Sequence, residues 1–148
     1  MSARRLSGKR PKSESPVSIR VDESVLEAVR AQAQRTGRPI SRVIRDLLEM
    51  ALRMQRFPGI IFAEGPAGRR AHLAGTGLDA WEVIQLLREY GSASTLRVHF
   101  PRLSPIAIQV AEAYAKAYPE EIEAFLALNT QPPKQLQREL PWLEVARP

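Results

Sequence analysis

Residues 40–52 place apolar side chains at Ile40, Val43, Ile44, Leu47, Leu48, Ala51 and Leu52, a regular stripe along one face of a helix. Upstream, Val17-Ser18-Ile19-Arg20-Val21-Asp22 alternates β-branched and polar residues with period two, the pattern of a half-buried strand that opens after Pro16. Between them Asp22 can cap a helix with Val25, Leu26, Val29 and Ala33 along one face, closed at Thr36-Gly37, and Pro39 suits the first turn of the next helix. One strand and two helices bury too little apolar surface to stand alone, and a lone strand leaves both edges unpaired. The strand must find a partner, and its copy in a second chain related by a two-fold axis is the simplest one. This predicts an antiparallel ribbon over four helices, with Val17, Ile19, Val21, Ile44, Leu47 and Leu48 in the dimer core. Ser18 and Arg20 of both chains then share an exposed face of a width that fits the DNA major groove.

Charge supports that orientation. The 148 residues carry a net charge of +6, yet residues 1–56 hold 13 Lys+Arg against 6 Asp+Glu, while residues 57–128 hold 6 against 8. The positive excess therefore sits in the first third, as in a polyanion-binding module joined to a segment with another task. Residues 1–15 have almost nothing apolar and read as a basic flexible arm, whose Arg4 and Arg5 are expected on phosphates. Arg20 can make a bidentate contact with guanine, and Ser18 can reach various acceptors. Ile40 and Ser41 at the start of the second helix offer amides and the positive end of the dipole to a phosphate, with Arg38 and Arg42 adding charge. The plainer alternative for Arg20 is a surface ion pair with Asp22 or Glu23.

The stretch VSIRVDESVLEAVRAQAQRTGRPISRVIRDLLEMAL resembles the ribbon-helix-helix repressors of the MetJ/Arc/CopG group. That resemblance implies base reading by alternate strand side chains, here Pro16, Ser18 and Arg20, and a phosphate clamp at residues 38–42. Pro16 departs from the pattern, leaving Ser18 and Arg20 as the readers in each strand.

Phe57-Pro58-Gly59 breaks the helix and opens a second module, residues 57–128. Ile60-Ile61-Phe62 and Arg70–Ala74 read as a β-hairpin about the turn Gly65-Pro66-Ala67-Gly68. A helix follows with Ala80, Val83, Ile84 and Leu87 on its apolar side, ended by Gly91-Ser92. Next come a short helix over Thr95–Phe100, a third started by Ser104 as cap and Pro105 as first residue, and a last over Glu120–Leu128. The hairpin into Ala74-Gly75-Thr76, with Trp81-Glu82-Val83, Phe100-Pro101-Arg102-Leu103-Ser104 and Ala113-Tyr114-Ala115, resembles domain of unknown function 433. The resemblance implies a winged helix-turn-helix-like fold and an antitoxin encoded beside a toxin similar to PIN-domain nucleases. Gly77 stands where many members have Arg, so no role tied to that Arg carries over. Ile106–Tyr118 offers only Gln109, Glu112 and Lys116 as polar side chains, so it reads as core and protein interface, not as a groove reader.

The tail, residues 129–148, strings Leu136, Leu140, Trp142, Leu143 and Val145 across Pro141. It reads either as a toxin-binding segment anchored by Trp142 or as a strap on residues 57–128.

No chemistry is expected in this chain. Without cysteine there is no thiolate site, and His72 and His99 read as structural histidines. The glycines of GPAGRR and GTG lack the Gly-Lys-Ser/Thr of a phosphate loop, and Glu120, Glu121 and Glu123 are explained by a helix macrodipole. No apolar run is long enough for a membrane span, and the polar Ser7–Pro16 argues against a twin-arginine signal, so a cytoplasmic, cofactor-free protein is expected. The architecture is mainly α with small β elements: a ribbon-helix-helix module, a winged-helix-like helical domain and an extended tail. The function expected is an antitoxin that represses its operon as a homodimer on double-stranded operator DNA and blocks a nuclease toxin. The alternative is a stand-alone repressor whose second domain senses a ligand or mediates oligomerisation.

Overall fold

The structure is a computed structural model that describes residues 15–65 and 68–130. The sequence-predicted contacts of Arg4, Arg5, Leu136, Leu140, Trp142 and Leu143 lie outside those residues, as does the tip of the turn at Pro66-Ala67. The chain divides into two compact units, Met1–Ile44 and Arg45–Pro148, a division that falls inside the second helix.

In the first unit, α1 (Glu23–Thr36) starts at Asp22, whose carbonyl accepts the amide of Leu26 at 3.0 Å, while its side chain makes no cap bond. Gly37 ends it in the left-handed conformation, φ 64°, and the amides of Gly37 and Arg38 turn back to the carbonyls of Gln34 and Ala33. A Cβ at Gly37 would meet nothing within 4 Å, so its backbone angle, not its size, selects glycine there. The strand expected over residues 17–22 has no hydrogen-bonded ladder in the single chain. A strand has no internal backbone bonds, so a segment with no neighbour among the described residues is assigned none. The same cause leaves Val17, Ile19 and Val21 exposed, Val17 at 87 %.

α2 (Ile40–Arg56) carries the chain across the division. In the second unit it ends at Phe57, which is buried against Tyr114 (ring centroids 5.3 Å apart, edge-on) and Tyr118 (6.0 Å). β1 (Ile60–Gly65) and β2 (Gly68–Leu73) pair as the expected antiparallel hairpin, with Ile60 opposite Leu73. A third strand that the sequence pattern did not announce, β3 (Leu78–Asp79), adds to β2 and sets Asp79 opposite His72. At two residues it is too short to show alternation.

The helices of this unit start and stop where side chains and glycine dictate. α3 (Ala80–Tyr90) opens at Asp79, whose amide is held by Glu82 Oε2 at 2.7 Å, and closes at left-handed Gly91. α4 (Ala93–His99) begins two residues before the expected Thr95, because Ser92 Oγ accepts the Thr95 amide and so takes the cap. α5 (Pro105–Ala117) begins as expected, with Ser104 Oγ accepting from Ala107 N at 3.0 Å and Pro105 in first position. α6 (Pro119–Thr130) is a turn longer than its apolar pattern. Ile60, Leu73, Val83, Leu96, Leu103, Ile108 and Tyr114 form the centre of the buried core. Among the described residues no helix is long and apolar enough to cross a membrane.

Candidate nucleic-acid interface

The α1–α2 turn puts three features of an anion site in sequence. Pro39 O accepts the amides of Arg42 and Val43, which leaves Ile40 and Ser41 with the outward amides of the first turn. No acidic residue stands in that turn to offset the positive end of the dipole. Ser41 and Arg42 are exposed and Arg38 is half-buried. Upstream, Ser18 and Arg20 are exposed, and Arg20 has no hydrogen-bond or ion-pair partner among the described residues. The alternative pairing of Arg20 with Asp22 or Glu23 is not formed; Glu23 binds Arg30 instead, at 3.2 Å.

The apolar stripe of α2 is not covered within one chain. Leu48 is 54 % and Leu52 66 % exposed, and Ile44 and Leu47 are half-buried. Of the six residues expected in a dimer core, Val17, Ile19, Val21 and Leu48 are thus open to solvent in the single chain. Exposure of so many large apolar groups in one short segment is the mark of an interface.

On the polar side of α2, opposite the apolar stripe, Arg53 is largely buried in a network. One of its guanidinium nitrogens donates to Tyr114 Oη at 2.8 Å and to Glu121 Oε2 at 2.7 Å, the other binds Glu49, and the group stacks over the Tyr118 ring at 3.8 Å. Tyr114 donates in turn to Glu121 Oε1 at 2.8 Å. Burial by itself would lower the Arg53 pKa, but its bonds to Glu121, Tyr114 and Glu49 outweigh that and raise it. Burial first, then Glu121, pushes the Tyr114 phenol well above its ordinary value, so it stays a donor at physiological pH. Glu121 stands in the first turn of α6, where the macrodipole favours it, and has Arg53 as a partner as well; Glu123 binds Arg88, whose hydrogen bond lowers its pKa.

His72, isolated in the sequence, has a partner in the fold. Its Nδ1 lies 2.9 Å from Oδ1 of buried Asp79, whose other oxygen receives Trp81 Nε1 at 3.2 Å and faces Arg70 at 3.3 Å. His99 stacks on Tyr90, with ring centroids 4.7 Å apart. Sequence reasoning missed Arg53, Tyr114 and Glu121 because the partners lie 61 and 68 positions apart.

Residues 15–54 match the family model of ribbon-helix-helix proteins, copG family. Proteins of that family bind DNA and dimerise, and the first module of this chain is similar to them. No curated protein and no solved structure matches the chain.

Proposed function

We propose that this protein is the antitoxin of a toxin–antitoxin pair: a homodimer that binds a short palindromic operator and represses its own operon, and that neutralises a nuclease toxin through residues 57–148. One observation carries the DNA-binding half. Within the ribbon-helix-helix match, four of the six side chains a dimer would bury are exposed in the single chain, beside Arg20, which has no partner among the described residues. Pairing two copies of residues 17–21 covers the apolar side and leaves Ser18 and Arg20 on the other. The antitoxin half is supported by the resemblance of residues 57–128 to domain of unknown function 433 and by the apolar string around Trp142.

Two measurements test it. Arg20→Ala is expected to weaken operator binding by about 1–3 kcal/mol and to relax base preference, because a bidentate guanine contact is lost. Gel-shift titrations on matched and mutated operators check this, and unchanged affinity would sink the readout. A chain ending at Leu128 is expected to bind operator as before but to capture the protein encoded next to it more weakly; a pull-down with full recovery refutes the role of the tail.

A second reading, a repressor that senses a small ligand, has its own observation. Asp46, Glu49, Met50 and Arg53 of α2 line a half-open cavity of about 190 Å³ with Phe62, Arg69 and Glu121. A polar effector seated there would touch the helix that continues from the phosphate clamp. Its test is a shift in operator affinity on adding candidate metabolites.

A further inference from the structure

Charge in residues 57–128 is polarised around one turn. Residues 91–111 contain Arg97, Arg102 and His99 and no Asp or Glu, whereas the other positions of 57–128 hold eight acidic and four basic residues. This acid-free stretch is α4, the turn into α5 and the first half of α5. It also bears Val98, 78 % exposed, and Ile106, 71 % exposed, the two most exposed large apolar side chains of the described second unit.

Neither residue is a by-product of the core. Leu96 and Ile108 are buried from the same two helices, and Val98 and Ile106 each stand two positions away, a rotation of roughly 200° on a helix. The turn that joins them is firmly built: Leu103 is buried, Arg97 Nε donates to its carbonyl at 3.1 Å, and Ser104 caps α5. Arg102 is exposed and takes no partner among the described residues. Two exposed apolar side chains and two arginines within one short, acid-free stretch of chain match the composition of a protein-binding surface, in which apolar anchors and Arg are enriched and carboxylates depleted.

We infer that the α4–α5 corner is a docking surface for a protein whose own surface is apolar at its centre and acidic around it. The absence of carboxylates removes repulsion of such a partner, and Arg97 and Arg102 add steering toward it. Duplex DNA fits less well. A polyanion gains nothing from Val98 standing open beside the arginines, and Gln109 is the one neutral amide the outer side of early α5 offers to base edges. This inference rests on the reading of residues 57–148 as the partner-capturing part of the chain.

The test uses the full chain, the purified product of the adjacent reading frame as probe, and the operator duplex as a second ligand. Val98→Asp with Ile106→Asp is expected to weaken capture at least tenfold, and Arg102→Glu several-fold, with operator affinity and the melting curve unchanged. If wild-type chain captures the probe and these variants capture it equally well, this surface is refuted while the antitoxin reading stands. Wild-type chain that does not bind the probe refutes both. Variants that lose DNA but keep the probe assign the corner to nucleic acid and overturn the inference.

Discussion

Leu48→Asp is expected to leave the chain monomeric and without measurable operator affinity. Leu48 lies on the apolar stripe of α2 and is more than half exposed in the single chain, so the substitution costs the isolated chain little. In a two-fold dimer both copies change at once. Each loses about 1.5–3 kcal/mol of leucine burial, and two carboxylates must be desolvated near one axis. A total of about 4 kcal/mol or more weakens dimerisation by roughly three orders of magnitude. Operator binding falls with it, because one protomer cannot form the ribbon. Sedimentation velocity and gel shifts on the same sample decide the matter. A dimeric Leu48→Asp protein would remove the α2 stripe from the interface. Leu48→Met, which conserves volume, should behave as the parent.

The second large effect is expected at Arg53. Arg53→Ala removes bonds to Tyr114, Glu121 and Glu49 and the stacking on Tyr118, and leaves the Glu121 carboxylate partly buried with no counter-charge and only the Tyr114 hydroxyl donating to it. Removing one member of a partly buried ion pair of this kind costs about 2–4 kcal/mol, discounted from the fully buried case because Glu121 keeps some contact with water. A fall in Tm of roughly 10 °C or more follows for a unit of this size. Glu121→Gln keeps an acceptor and should lose about half as much, and Tyr114→Phe about 1 kcal/mol. Urea denaturation followed by tyrosine and tryptophan fluorescence measures all three. An Arg53→Ala protein within about 0.5 kcal/mol of the parent would show the network to be ornamental.

These two sites divide the helix between them. Leu48 and Leu52 lie on the exposed apolar stripe, while Arg53 ties α2 to α5 and α6 of its own chain. The stripe was legible because a helix writes its apolar face into the chain every three or four residues. The clasp was not, since Asp46, Glu49 and Arg53 carry the pattern of an ordinary solvated face.

Local signals set the rest of the helical framework. Gly37 and Gly91 end α1 and α3 because they tolerate positive φ, and Ser104-Pro105 starts α5 because a hydroxyl can accept a free amide where proline lacks one. Ser92 obeys the same rule, and reading it as a cap would have placed the start of α4 correctly.

By itself, then, the sequence determined where most helices begin and end and which face of each is apolar. Those properties depend on neighbours within a turn or two, and the chain states them directly. Tertiary structure alone decided that β3 exists, that Asp79 collects Arg70, His72 and Trp81, and that Glu121 meets Arg53. A charged side chain is satisfied by whatever the fold brings within about 3 Å, and no local periodicity encodes a partner many positions away.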